Sequence, residues 1–116
     1  MKTGPENLIV KLTFEFALDI IDYSELLESH KKYVIARQVL KAGTSIVANV
    51  REAQNAESKP DFIHKMKIAA KEADETEYWL LLCEYSPNYP KNEKLKEKLK
   101  VIINILAKII ITSKTN

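Results

Sequence analysis

Chain breakers are what this sequence lacks. Its 116 residues include two glycines and four prolines, and three of the prolines, Pro60, Pro87 and Pro90, gather at two places. Glycine and proline punctuate regular structure more strongly than any other residues. Punctuation this sparse suits long helices joined by short links, and it excludes an all-β fold that must turn about every ten residues. Three breaks divide the chain: one near Ser29 and His30, the stretch "SKPD" at 58–61, and the stretch "SPNYPKN" at 86–92. The segments between them run roughly over 7–29, 31–57, 60–86 and 91–114.

Each segment carries helical periodicity rather than alternation. In the first, Ile9, Leu12, Phe16, Ile20, Tyr23 and Leu27 recur every three or four residues. In the third, Phe62, Met66, Ala69, Ala73, Thr76, Leu80 and Cys83 do the same. The second presents a wide apolar face, with Ile35, Val39, Ala42, Ile46 and Ala53 beside Ala36, Leu40, Gly43, Val47 and Val50. Pro60 is placed to open the third helix, where its missing amide hydrogen costs nothing, and Ser58 is placed to cap it. Four helices of about 25 residues, each roughly 38 Å long, pack most simply as an all-α, antiparallel up-down-up-down four-helix bundle. Residues 1–116 are expected to form that single domain. The wide face of helix two and the nearly all-round apolar run Val101–Ser113 of helix four exceed what one bundle needs to bury, so homo-oligomeric assembly is expected.

The stretch "AGTSIVANVREAQ", Ala42 to Gln54, runs against its surroundings. Glycine, threonine, serine and asparagine weaken a helix by roughly 0.5–1 kcal/mol each relative to alanine. Their spacing suggests what is gained. Gln38, Ser45, Asn49, Glu52 and Ala56 line one edge of the apolar face, while Gly43, Ala42, Ala48 and Ala53 remove bulk from the same turns. Helix three carries a matching edge of Lys65, Ile68, Glu72, Glu75 and Trp79. The expectation is that helices two and three approach closely here, with Ser45 and Asn49 bonding across to Glu72 or Thr76 and Lys71 answering Glu52 or Glu75. Such a seam would set helix register and assembly.

Charge is segregated beneath a net +2. Residues 1–29 carry two basic against six acidic side chains, 30–58 five against two, 59–87 four against six, and 88–116 seven against two. Glu15, Asp19 and Asp22 form an acidic stripe on the first helix, and Lys91, Lys94 and Lys98 a basic one on the fourth. The acidic stripe is expected to meet a basic helix of the same or a neighbouring chain.

Catalytic chemistry finds no foothold. A di-metal bundle wants inward glutamates and two Glu-x-x-His pairs, whereas His30 and His64 both lack a glutamate at that position. Ser45 and Thr44 have no evident histidine partner, and no glycine-rich phosphate loop exists. No cofactor or metal is therefore expected. Cys83 is the sole cysteine, so no internal disulfide can form and the thiol reads as a small apolar core group. "MKTGPENLIVKL" has no secretory-signal pattern. The apolar run near the C-terminus is too short to cross a membrane, which needs about 20 residues, and Lys108 interrupts it. A cytoplasmic protein without membrane contact is expected.

The stretch Tyr33–Leu80 resembles the small bacterial four-helix proteins called 23S rRNA intervening-sequence proteins, through the blocks "AGTSI-AN--EA" and "K-DFI-K--IA-KEA-ETEYWL". The motif falls on Gly43, Thr44, Ser45, Ala48, Asn49, Glu52, Ala53, Lys59, Asp61, Phe62, Lys65, Ala69, Lys71, Glu72, Ala73, Glu75, Thr76 and Trp79. Val47 stands where the family usually has glycine or proline, and "LLLCEYSPNYPKN" replaces its usual glycine-containing turn. The resemblance implies a homopentameric ring without enzymatic activity. It also implies relatives that bind nucleic acid through basic surfaces, one group of which assists a reverse transcriptase in diversity-generating retroelements. The leading expectation is RNA or DNA binding through Arg37, Lys41 and Arg51 of helix two and Lys91, Lys94 and Lys98 of helix four. The alternative is a scaffold that recognises a protein such as a reverse transcriptase. Lysines clustered on one face favour the first, and lysines interleaved with Glu15, Asp19 and Asp22 favour the second.

Overall fold

The computed structural model describes residues 5–115; residues 1–4 and 116, which include the start of the N-terminal stretch and both ends of the expected domain, lie outside the described residues. Four helices make up the fold, α1 Pro5–Ser29, α2 Tyr33–Gln54, α3 Lys59–Tyr85 and α4 Glu93–Thr115, and no strand occurs among the described residues. They form a bundle 47 Å long and 20 Å across. Backbones approach along four sides only, α1 with α2, α2 with α3, α3 with α4 and α4 with α1. The helices therefore stand at the corners of a square, and its diagonals stay open at the backbone level.

Local chemistry sets the helix ends. Lys32 N–H donates to the Leu27 carbonyl at 2.9 Å and Lys31 N–H to that of Glu28 at 2.8 Å, with Lys31 left-handed at φ 63°. This is the hydrogen-bond pattern that glycine usually completes after a helix. It delays α2 to Tyr33, two residues after the start that periodicity suggests. Ser58 caps α3 by accepting from the Asp61 N–H at 3.2 Å, Asp61 reaches back to the Glu57 N–H at 3.2 Å, and Pro60 sits in the first turn. Asn92 accepts from the Leu95 N–H at 3.1 Å at the start of α4.

The core is one cluster drawn from all four helices, with Phe16, Ile20, Ile46, Met66, Leu99 and Leu106 among its largest fully buried members. Thr13 and Thr76 are buried with it, and each hydroxyl donates at 2.7 Å to a carbonyl four residues back in its own helix. A buried hydroxyl is thereby satisfied without a second helix.

Gly43 lies between α2 and α1. A Cβ there would stand 2.8 Å from both Cγ1 and Cγ2 of Ile20. The helix that approaches closely at Gly43 is therefore α1 and not α3 as spacing suggested, because the branched Ile20 fills the space that glycine leaves.

Candidate nucleic-acid interface and assembly surfaces

The basic stripe of α4 is largely engaged inside the fold. Lys91, just before the helix, donates to the carbonyls of Cys83 at 2.9 Å, Glu84 at 2.7 Å and Ser86 at 2.8 Å. Those are carbonyls that the end of α3 leaves unpaired, and an ammonium is favoured at that negative end. Lys98 pairs with Asp19 of α1. Lys94 borders a groove between α1 and α4 together with Asp19, Asp22 and Lys98. Lys96 holds Glu84 at 2.8 Å, and that hydrogen bond raises the Lys96 pKa. The α4 lysines are thus interleaved with the α1 carboxylates. Replacing Lys91 by alanine should cost about 1 kcal/mol through the uncovered carbonyls, read as a fall of roughly 3–6 °C in melting temperature; an unchanged melting curve would show that water covers them equally well.

The cations of α2 are differently placed. Arg37, Lys41 and Arg51 are exposed, and none has a carboxylate within ion-pair distance among the described residues. No Asp or Glu occurs between Ser29 and Arg51, while Lys31, Lys32, Arg37, Lys41 and Arg51 all fall there. This acid-free run was available in the sequence but is hidden by counting charge over whole segments.

The seam between α2 and α3 is less connected than its spacing suggested. Ser45 Oγ donates to the Lys41 carbonyl at 2.7 Å and Asn49 Nδ2 to that of Ser45 at 2.8 Å. Their groups bond within α2, so they do not cross to Glu72 or Thr76. One ion pair does span the helices, Glu52 with Lys65 at 3.0 Å, and it raises the Lys65 pKa. Lys71 and Glu75 point to solvent and Glu72 is half-buried. Trp79 packs against the core with Tyr78 tilted beside it at 5.4 Å, and its buried indole N–H has no acceptor among the described residues.

Reactive groups are scarce. Among the described residues, no three His, Cys, Asp or Glu side chains gather to hold a metal. Burial pushes the Cys83 thiol pKa up and pushes that of the Tyr23 phenol up further, so neither is a ready nucleophile. The Tyr23 hydroxyl donates to the Pro90 carbonyl at 2.8 Å, and the Lys32 ammonium stands 4.8 Å above the Tyr89 ring. These contacts fasten the 86–92 link to α1 and to the start of α2. No helix among the described residues is long and apolar enough to cross a membrane.

The model of the family described as "23S rRNA-intervening sequence protein" matches residues 6–111. A crystal structure of a protein of unknown function from the S23 ribosomal protein family of Bacteroides thetaiotaomicron VPI-5482 is 39% identical, with a TM-score of 0.86, and the match covers 92% of this chain and 98% of that one. Among curated proteins none matches.

Proposed function

The chain belongs to the 23S rRNA-intervening sequence protein family, and from that premise we propose that it is a non-enzymatic, homo-oligomeric helical bundle that binds RNA or DNA through basic surfaces. The observation that carries this reading is the exposed, acid-free face of α2. Arg37 and Lys41 stand one turn apart on it, with no carboxylate nearby to compete with phosphate. Cations in that position gain affinity by releasing counterions from the nucleic acid. Assembly repeats the face around one axis, so a chain of net charge +2 presents a concentrated patch. Lys94 and Lys98 contribute less, since Asp19 and Asp22 share their groove.

The bundle is read as up-down-up-down, because the links at 30–32, 55–58 and 86–92 are too short to run back along a helix of about 35 Å. Its assembly is a pentameric ring in the cytoplasm, the pentamer following from the family. A second reading has one observation in its favour. The interleaving of Lys98 with Asp19 suits a surface that meets another protein, such as a reverse transcriptase, without touching nucleic acid.

Fluorescence anisotropy of a labelled structured RNA, titrated at two salt concentrations, separates the readings. Binding should weaken steeply with salt. Arg37→Glu with Lys41→Glu should weaken it by about tenfold or more, and Lys94→Glu with Lys98→Glu should weaken it less. Absence of binding at low salt would overturn the nucleic-acid reading in favour of the protein scaffold.

A further inference from the structure

Besides its core face, α1 carries a second stripe. Phe14, Leu18, Ile21, Glu25 and Glu28 follow one another at steps of four and three, which places them along one side of the helix. Phe14 is 51% exposed, Leu18 49% and Ile21 38%. On α2 the heptad Tyr33, Leu40, Val47 runs along the flank that adjoins α1, with Tyr33 and Leu40 exposed. The close approach at Gly43 sets the two stripes side by side as one apolar face. Its exposed side chains amount to on the order of 400 Å², a size that marks an interaction surface on a soluble chain.

The opposite side of the square, between α3 and α4, is a groove. Ala70, Ile103, Ala107, Ile110 and Ile111 line it with Asp74. The two alanines recede, and Ile111 at its lip is 63% exposed. The remaining two sides are polar. Ser45, Asn49 and the Glu52–Lys65 pair occupy the α2/α3 side, and Asp19, Asp22, Lys94 and Lys98 the α1/α4 side.

We propose that copies of this chain join head to tail, the apolar α1/α2 face of one bundle seating in the α3/α4 groove of the next. The inference rests on the homo-oligomer reading and names the surfaces that reading needs. Shape favours unlike sides meeting, since one side projects large side chains and the other recedes at its alanines. Charge favours it too. Glu25 and Glu28 continue the α1 stripe, whereas Lys67 and Lys114 flank the groove closely enough for Lys67 to depress the Lys114 pKa. Face on face would set acid against acid, and groove on groove base against base. The apolar area is about half of the roughly 800 Å² that each partner contributes to a standard interface, in keeping with the usual apolar share of slightly over half. A contact between two different patches leaves one of each unused in every pair, so it continues until a ring closes.

The test uses two double variants of the full chain, Phe14→Asp with Leu18→Asp on the face and Ala107→Asp with Ile111→Asp in the groove. All four residues are exposed, and circular dichroism checks that each variant remains helical; Leu18→Ser and Ile111→Ser replace any variant that does not. By light scattering after gel filtration, wild type should be a multimer. Each variant alone should fall to the mass of one 13.3 kDa chain, and an equal mixture should run at twice that mass, because one intact face then meets one intact groove. A multimeric wild type whose mass either variant leaves unchanged, or a mixture that stays monomeric, places the contact elsewhere and overturns the inference while the homo-oligomer reading stands. A monomeric wild type overturns both.

Discussion

Gly43→Leu is expected to melt at least about 10 °C below wild type, from roughly 3 kcal/mol of lost stability. Intrinsic propensity predicts the reverse, because leucine is a better helix former than glycine by about 0.8 kcal/mol. The steric term wins at this position. A Cβ alone would stand 2.8 Å from two carbons of Ile20 and 3.0 Å from a third, closer than carbon atoms pack. Leucine adds three more carbons in the same place, and Ile20 has no exposed surface into which it could swing. Combining Gly43→Leu with Ile20→Ala should restore part of the loss, since the second change opens the space that the first one fills. A Gly43→Leu protein with unchanged melting temperature would show that α1 and α2 can part there without cost. The measurement belongs beside a solution mass, which separates loss of fold from loss of assembly.

Phe16→Ala should cost about 3–5 kcal/mol, seen as a lower urea midpoint at an unchanged slope. Phe16 is fully buried in the shared cluster, so truncation removes a ring from close packing and leaves a cavity that four helices cannot easily collapse. Phe14, two residues away and half exposed, provides the internal comparison. Its truncation should change monomer stability by under about 1 kcal/mol. Similar losses at both positions would mean that Phe14 is covered in solution and that the stability measured is that of an assembly.

The contrast between these phenylalanines marks how far the sequence could be read. Periodicity assigned Ile9, Phe16, Ile20, Tyr23 and Leu27 to a buried face, and the structure buries them. The cap at Ser58 was legible because hydroxyl, proline and acid fall in a fixed local order. Partners across helices were less legible. Spacing on α2 places Gly43 on the apolar face, but it cannot say whether α1 or α3 fills the gap, since that depends on the angle of the whole bundle. Ser45 and Asn49 looked like crossing groups, yet a short polar side chain in a helix finds its own carbonyl four residues back before it finds a neighbour. Lys91 read as part of a basic stripe because its spacing matches Lys94 and Lys98. Its role in covering the end of α3 depends on where the 86–92 link turns, which no one-dimensional pattern records. The outer heptads of α1 and α2 were present throughout, but they lie beside stronger core stripes that dominate any count of apolar residues.

The square arrangement also bears on how the chain reaches its structure. Three of its sides join helices that follow one another in sequence, so they can form after closing only a short loop. The fourth, α1 against α4, joins residues far apart in the chain: Tyr23 meets Pro90 across 67 positions, and Lys98 meets Asp19 across 79. Loop-closure entropy therefore concentrates on this one side. Local contacts speed folding and distant ones slow it. The charged α1/α4 side is where the chain closes on itself, and the opposite charges of its two helices draw together the segments that have the longest search to make.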